Sequence, residues 1–220
     1  MNASQDKHIA VVTVVGKYRT GKSYILNRVL LNQNSGFEVG PTINACTKGL
    51  WVWPKLIPHP TDSSIQYMVM DTEGLGSLEQ GEEVDTKIFL MALLLSSYFI
   101  YNSMGNIDEK AIQNLSLVVN LSKLLNKGNE RDMKNIINSF PSFMWLVRDF
   151  SLRLVDEHGK KILPKEYLNK ALELKEGTSD LIMRKNNVRN ELVNFFKDRD
   201  CFPLIRPVDD EKKLQKMSEL

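Results

Sequence analysis

The chain has 220 residues, 42% hydrophobic, 25% charged and 8% aromatic, which suits one globular domain or slightly more with a sizeable core. Its 29 Lys and Arg against 27 Asp and Glu leave a net charge of +2, scattered rather than striped, so electrostatics gives no reason to expect a nucleic-acid partner. Two cysteines, Cys46 and Cys201, exclude a disulfide framework or a zinc site, no signal-peptide pattern opens the chain, and the apolar run Ile88–Leu95 is too short to span a bilayer, so the expectation is a soluble cytoplasmic protein.

Ile9–Val15 is a β-branched run bounded by Gly16 and predicts a strand buried on both faces. Gly21–Asn32 predicts a helix, with Ile25, Leu26, Val29 and Leu30 at helical spacing, and Ser35–Thr47 a long loop. Gly49–Trp53 and Ser64–Met70 read as strands joined across the Pro58–Pro60 turn region, and the polar Asp71–Val84 as a loop. A helix is expected over Asp85–Leu94 on an acidic N-cap, a strand over Ser97–Tyr101, and a helix over Asp108–Leu125 capped by Asp108. Phe143–Val147 and Cys201–Ile205 read as strands, and Tyr167–Leu174, Ser179–Phe196 and Lys212–Leu220 as helices. Strands alternating with helices predict an α/β fold, a mainly parallel sheet flanked by helices.

Gly16-Lys17-Tyr18-Arg19-Thr20-Gly21-Lys22-Ser23 matches G-x-x-x-x-G-K-[ST] in full, between a predicted strand and a predicted helix. The glycines let backbone N–H groups approach phosphate oxygens, and the helix N-terminus adds its own amides. Lys22 would reach the outer phosphates and Ser23 would bind Mg²⁺. Asp71-Thr72-Glu73-Gly74 follows a predicted strand, where a carboxylate serving Mg²⁺ belongs, and Gly74 can offer its N–H to a γ-phosphate. A threonine from the long loop should close over the metal; composition does not choose between Thr42 and Thr47. Other tempting residues have plainer readings. Trp51, Trp53 and Trp145 are expected in the core, Tyr18 packed on the loop, and Glu79, Glu82, Glu83 and Asp85 facing solvent. The charged run Lys123–Lys134 reads as a solvated face, and His8, His59 and His158 lack metal-ligand spacing.

GKYRTGKSYILN at Gly16–Asn27, CTKGLWVW at Cys46–Trp53 and MDTEGLG at Met70–Gly76 resemble the large GTPases of the guanylate-binding protein family, relatives of the atlastins in the dynamin superfamily. WLVRDFSLRL at Trp145–Leu154 resembles that family's guanine motif, an Arg-Asp pair in place of the N-K-x-D of small GTPases. LPKEYLNKALELKEGTS at Leu163–Ser179 and CFPLIRPV at Cys201–Val208 resemble later segments of the same domain. The resemblance implies a P-loop G domain over residues 1–208 and, over 209–220, a guanine cap that also touches a partner domain. It implies that GTP and GDP bind along Gly16 to Tyr24, at Gly74, and at Arg148 and Asp149. Arg19 matches a catalytic arginine supplied in cis, and Thr47 the Mg²⁺-binding threonine of switch I, so Thr47 is preferred to Thr42. Asp71, Glu73 and Gly74 match switch II, with Glu73 helping to order the attacking water. Mg²⁺-dependent hydrolysis of GTP to GDP, with a further cleavage to GMP left open, and a nucleotide-dependent homodimer follow as implications.

Two departures qualify them. Ala45 stands where a serine usually lies, two residues before the switch I threonine, which keeps a second reading open: a scaffold that binds guanine nucleotide with little turnover. The chain also ends in Ser218-Glu219-Leu220, no lipidation box, and reads as a G domain cut from a longer protein that meets membranes only through another segment. An ATPase or nucleotide kinase with the same loop is a third reading, opposed by the Arg148-Asp149 pair.

Overall fold

The computed structural model describes residues 7–39, 47–76, 81–117 and 140–214. Thr42, Ala45, Cys46, Glu79, the run Lys123–Lys134 and the distal parts of the helices expected to reach Leu125 and Leu220 lie outside the described residues. The strands are β1 His8–Gly16, β2 Leu50–Val52, β3 Ile57–Pro58, β4 Ile65–Thr72, β5 Tyr98–Met104, β6 Ser142–Arg148 and β7 Arg199–Leu204. The helices are α1 Lys22–Ile25, α2 Glu82–Leu95, α3 Glu109–Gln113, α4 Pro164–Ala171, α5 Asp180–Phe195 and α6 Glu211–Leu214. Strand order is β2-β4-β1-β5-β6-β7 with β3 also on β4, a mostly parallel sheet of seven strands flanked by helices, as the alternating pattern predicts. The chain divides into two compact units, Met1–Ile100 with Val208–Leu220, and Tyr101–Pro207.

In the first unit β1 runs parallel to β4, with Val14 opposite Asp71. That register brings the end of β1, where the glycine loop starts, beside the acidic end of β4. From Val12 onward β1 is buried without alternation, as a strand covered on both faces must be. Val14, Val69, Leu26, Leu31 and Phe37 form a core, against which Leu30, Trp53, Ile57 and Ile100 pack. Burying each large apolar side chain of this kind contributes about 1.5–3 kcal/mol.

Several expectations need correction here. The helix expected over Gly21–Asn32 is α-helical only to Ile25 and continues as a wider π turn over Leu26–Leu30. Within that turn Asn27 is buried, its amide paired both ways with the Phe37 backbone at 2.8 Å. β3 was not expected; it lies in the Pro58–Pro60 turn region and pairs antiparallel with β4. Trp51 is 57% exposed on β2 rather than in the core, its indole N–H donating to the Lys48 carbonyl at 2.8 Å. α2 starts at Glu82 after Gly81, so Asp85 is not its cap. Nor does Asp85 face solvent: it is buried, whereas Glu82 and Glu83 are exposed as expected.

In the second unit β6 pairs parallel with β7, whose Pro203 sits opposite Val147. A proline is tolerated in an outermost strand because one backbone N–H there needs no partner. Trp145 is fully buried, donates its indole N–H to Ser103 at 2.8 Å and meets Tyr101 and Phe143 edge-on. Asp108 caps α3 as expected, accepting from the Ala111 N–H at 2.7 Å; α3 ends at Gln113, a turn follows over 114–116, and residue 117, the last described before 140, is helical again. α4 begins at Pro164, three residues before the expected Tyr167, because proline fits a first helical turn and Glu166 accepts from the Leu163 N–H at 2.7 Å.

One ion pair ties this unit together. Arg189 of α5, 1% exposed, forks onto Glu109 of α3 at 2.7 and 3.1 Å. Those hydrogen bonds hold the Glu109 carboxyl below its ordinary value. Glu109→Gln strands a buried guanidinium without a counter-charge, so the urea midpoint should fall by the equivalent of about 2–3 kcal/mol, less than the about 3–5 of a fully buried pair. A depressed carboxylate stabilises above its unfolded pKa and loses that contribution as pH falls through the folded one. The gap between wild type and variant should therefore be full at neutral pH and shrink below about 4.5. A gap that is constant down to strongly acidic pH would show that the charge is not what matters.

Candidate functional site

The loop after β1 is built by its own side chains. Thr20 Oγ1 donates to the Lys17 carbonyl at 2.7 Å, and Lys22 Nζ donates to the same carbonyl at 3.3 Å. Gly21 precedes α1 at φ +75°, where a Cβ would be strained. Arg19 adopts φ +60°, sparsely populated for a side-chain-bearing residue, and is exposed. Lys22 is 6% exposed; burial pushes its ammonium down to about 8, against the opposing pull of Asp71 and Glu73. Lys17 is exposed and Tyr18 half-buried. Tyr24 sits inside α1, with the Arg28 guanidinium 5.6 Å from its ring centre.

Beside Lys22, three oxygens converge. Ser23 Oγ donates to Asp71 Oδ2 at 2.5 Å, Thr47 Oγ1 donates to the same oxygen at 3.2 Å, and the two hydroxyls lie 3.5 Å apart. Asp71 is fully buried, and burial raises its pKa against the hydrogen bonds from Ser23 and the charge of Lys22. A buried carboxylate with two hydroxyls is a hard-oxygen donor set, of the kind that suits Mg²⁺ with substrate phosphates completing its shell. Among the described residues no cluster of His, Cys, Asp and Glu offers a competing metal site.

The segment after β4 is tied to its surroundings through the backbone. Glu73 N–H donates to the Gly49 carbonyl at 2.8 Å, and Glu73 Oε2 accepts from the Gly49 N–H at 2.7 Å. The other carboxylate oxygen, Oε1, is buried with no hydrogen-bond partner among the described residues. Gly74 lies so close to Tyr18 that a Cβ would fall 2.2 Å from the Tyr18 Cα, so only glycine fits. Leu75 then pairs in parallel with the loop, accepting from the Tyr18 N–H at 3.0 Å and donating to the Gly16 carbonyl at 3.1 Å.

The other expected readers end β6 in the second unit. Arg148 is buried and its carbonyl accepts from the Gly105 N–H at 2.7 Å. Asp149 turns the chain at φ +56°, and the Phe150 N–H rejoins β7 at the Leu204 carbonyl, 2.9 Å away. The first unit thus brings together Lys22, Ser23, Thr47, Asp71, Glu73 and Gly74; Arg148 and Asp149 are neighbours at one strand end. Sequence reasoning missed Gly49, whose part is played by backbone atoms and leaves no side-chain signal.

The chain matches the family model "Guanylate-binding protein, N-terminal domain" over residues 2–220. It is 40% identical over 213 residues to guanylate-binding protein 3 of Mus musculus, covering 94% of this chain and 34% of that protein. Identity is 39% over 219 residues with guanylate-binding protein 7 of Homo sapiens, covering 96% and 34%, and 41% over 216 residues with guanylate-binding protein 1 of Mus musculus, covering 95% and 36%. The chain therefore spans about a third of the length of these relatives. The glycine loop, the converging hydroxyls and the full-length match agree: the chain belongs to the guanylate-binding protein family.

Proposed function

We propose that the chain binds GTP with Mg²⁺ and hydrolyses it to GDP, residues 1–208 acting as one G domain with 209–220 as its guanine cap. The observation that carries this reading is the convergence of Ser23, Thr47 and Asp71 within hydrogen-bonding distance, next to a buried lysine at the start of α1.

Lys22 places a positive charge where the outer phosphates meet the loop amides. Ser23 and Thr47 would hold Mg²⁺, with Asp71 orienting both hydroxyls from behind. When bound, the ion neutralises charge on the β and γ oxygens. Glu73 fixes switch I through Gly49 with one oxygen and keeps Oε1 to accept from the attacking water. Arg19 would meet the charge of the transition state, and Asp149 the guanine edge. The named relatives support the guanine nucleotide as ligand. Nucleotide-dependent dimerisation through this domain and a cytoplasmic location belong to the same proposal; a second cleavage to GMP stays open and is read by the assay below. Among the described residues no helix is long and apolar enough to cross a membrane.

The test is steady-state GTP turnover with GDP and GMP separated, in Mg²⁺ and in EDTA, across protein concentrations. Metal-dependent GDP release with specific activity rising with concentration supports the reading; bound GTP that stays intact favours the scaffold. Lys22→Ala should remove tight nucleotide binding while α1 stays folded, since its apolar face is untouched. Affinity near wild type by fluorescent-nucleotide titration would show that Lys22 does not face the phosphates. Ala45→Ser restores a hydroxyl before Thr47 and should speed single-turnover hydrolysis; no gain at saturating Mg²⁺ and GTP would mean that the water is activated elsewhere.

A further inference from the structure

Asp85 is a charged residue in an unexpected place. It lies in the first turn of α2, 9% exposed, and reaches back across nine residues to accept from the Gly76 N–H at 2.6 Å. Its second oxygen, Oδ1, is buried with no hydrogen-bond partner among the described residues. Gly76, at φ +72°, is the residue after Leu75, and Leu75 is the one stitched to Gly16 and Tyr18. Arg19 follows Tyr18 directly, and Gly74 precedes Leu75. One carboxylate on a helix therefore pins the end of a short backbone zipper whose other strand is the phosphate loop.

We infer that Asp85 is a positioning residue for the reaction: by fixing the Gly76 N–H it holds Leu75 in register against the loop, and so sets where Arg19 and the Gly74 N–H stand relative to the γ-phosphate. This rests on the hydrolytic reading above. A helix first-turn acid could instead serve only the α2 dipole, stabilising the helix with no effect on chemistry. The geometry favours the first role. The carboxylate is buried and turned toward a loop N–H, where a short bond to an ionised acceptor is strong and directional. Among the described residues Asp85 is hydrogen-bonded to the Gly76 N–H and not to Ser23, Thr47 or Asp71, so its effect runs through backbone placement, and placement errors of about 1 Å cost on the order of 10²-fold in rate.

The experiment compares wild type with Asp85→Ala, Asp85→Ser and Asp85→Asn for GTP turnover, for affinity toward GDP and a non-hydrolysable GTP analogue, and for thermal unfolding. Ala removes the acceptor; Ser keeps a polar, helix-compatible side chain too short to reach Gly76, and serves if the Ala protein does not fold. Asn retains an oxygen in the same position. Expected are kcat losses of about 10²-fold for Ala and Ser, affinities within about threefold of wild type, and near-complete rescue by Asn. Equal losses in kcat and affinity, unchanged kcat in Ser, or Asn as slow as Ser would each overturn the inference. Wild type that binds but does not hydrolyse GTP would instead remove the hydrolytic reading, and with it the positioning role.

Discussion

Arg19→Ala is expected to lower kcat for GTP by roughly 10³–10⁵ with little change in nucleotide affinity, the scale found where an arginine neutralises phosphoryl transition-state charge. The structure gives this residue an unusual mounting. The Tyr18 N–H before it is bonded to Leu75, and the Thr20 hydroxyl after it is bonded to Lys17, so the backbone is held on both sides. Between them Arg19 sits at φ +60°, a conformation that costs energy and persists because its neighbours fix it. The long side chain starts exposed, which suits the proposed role of a group drawn inward when two G domains pair. Arg19→Lys keeps the charge but loses the planar fork, so it should recover only part of the rate. Turnover of Arg19→Ala within about threefold of wild type would mean that Arg19 does not meet the reacting phosphate.

Base choice should show a comparably large effect. Guanine presents N1–H and a 2-amino group on one edge, and the Asp149 carboxylate can accept from both. Adenine presents a lone pair at N1 and no amine there, so the carboxylate would face like polarity. Sites built on such hydrogen bonds reject an analogue lacking them by roughly 10⁴–10⁵ in favourable cases. Asp149 is half-buried, at the C-terminal end of a parallel strand, in a backbone conformation that turns it away from the run of β6. Asp149→Asn should weaken GTP and shift preference to xanthosine triphosphate, because the amide can accept from N1–H and donate to the exocyclic carbonyl oxygen that replaces the 2-amino group. Competition of ATP, GTP and XTP for wild type and variant reads this directly. Equal affinity of wild type for ATP and GTP would remove the guanine assignment.

Much of the loop and of the sheet was legible in the sequence, and for a physical reason. The glycine loop and the turn against it are specified by residues whose identity is forced: Gly21 by its positive φ, Lys22 and Ser23 by their chemistry, and Gly74, after β4, by the Tyr18 backbone against it. The first parallel strand was legible because β1 carries a β-branched run over Ile9–Val15 that is buried without alternation from Val12 onward, as burial on both faces demands. What was not legible depended on partners remote in sequence. Trp51 looks like core by composition, yet β2 leaves it exposed. Asp85 looks like one of several solvated acids until the fold carries Gly76 to it. The π turn at Leu26–Leu30 follows an ordinary helical pattern and shows itself only where buried Asn27 grips the Phe37 backbone. Helix starts slipped where Gly81 and Pro164, rather than an acidic or aromatic residue, mark the first turn.

The most direct test of the central claim is a crystal structure of this chain with Mg²⁺, GDP and aluminium fluoride. The account predicts Mg²⁺ at about 2.0–2.1 Å from both Ser23 Oγ and Thr47 Oγ1, with Asp71 behind them and Lys22 Nζ on the outer phosphates. A metal that touches neither hydroxyl, or phosphates bound away from the Gly16–Ser23 loop, would contradict it.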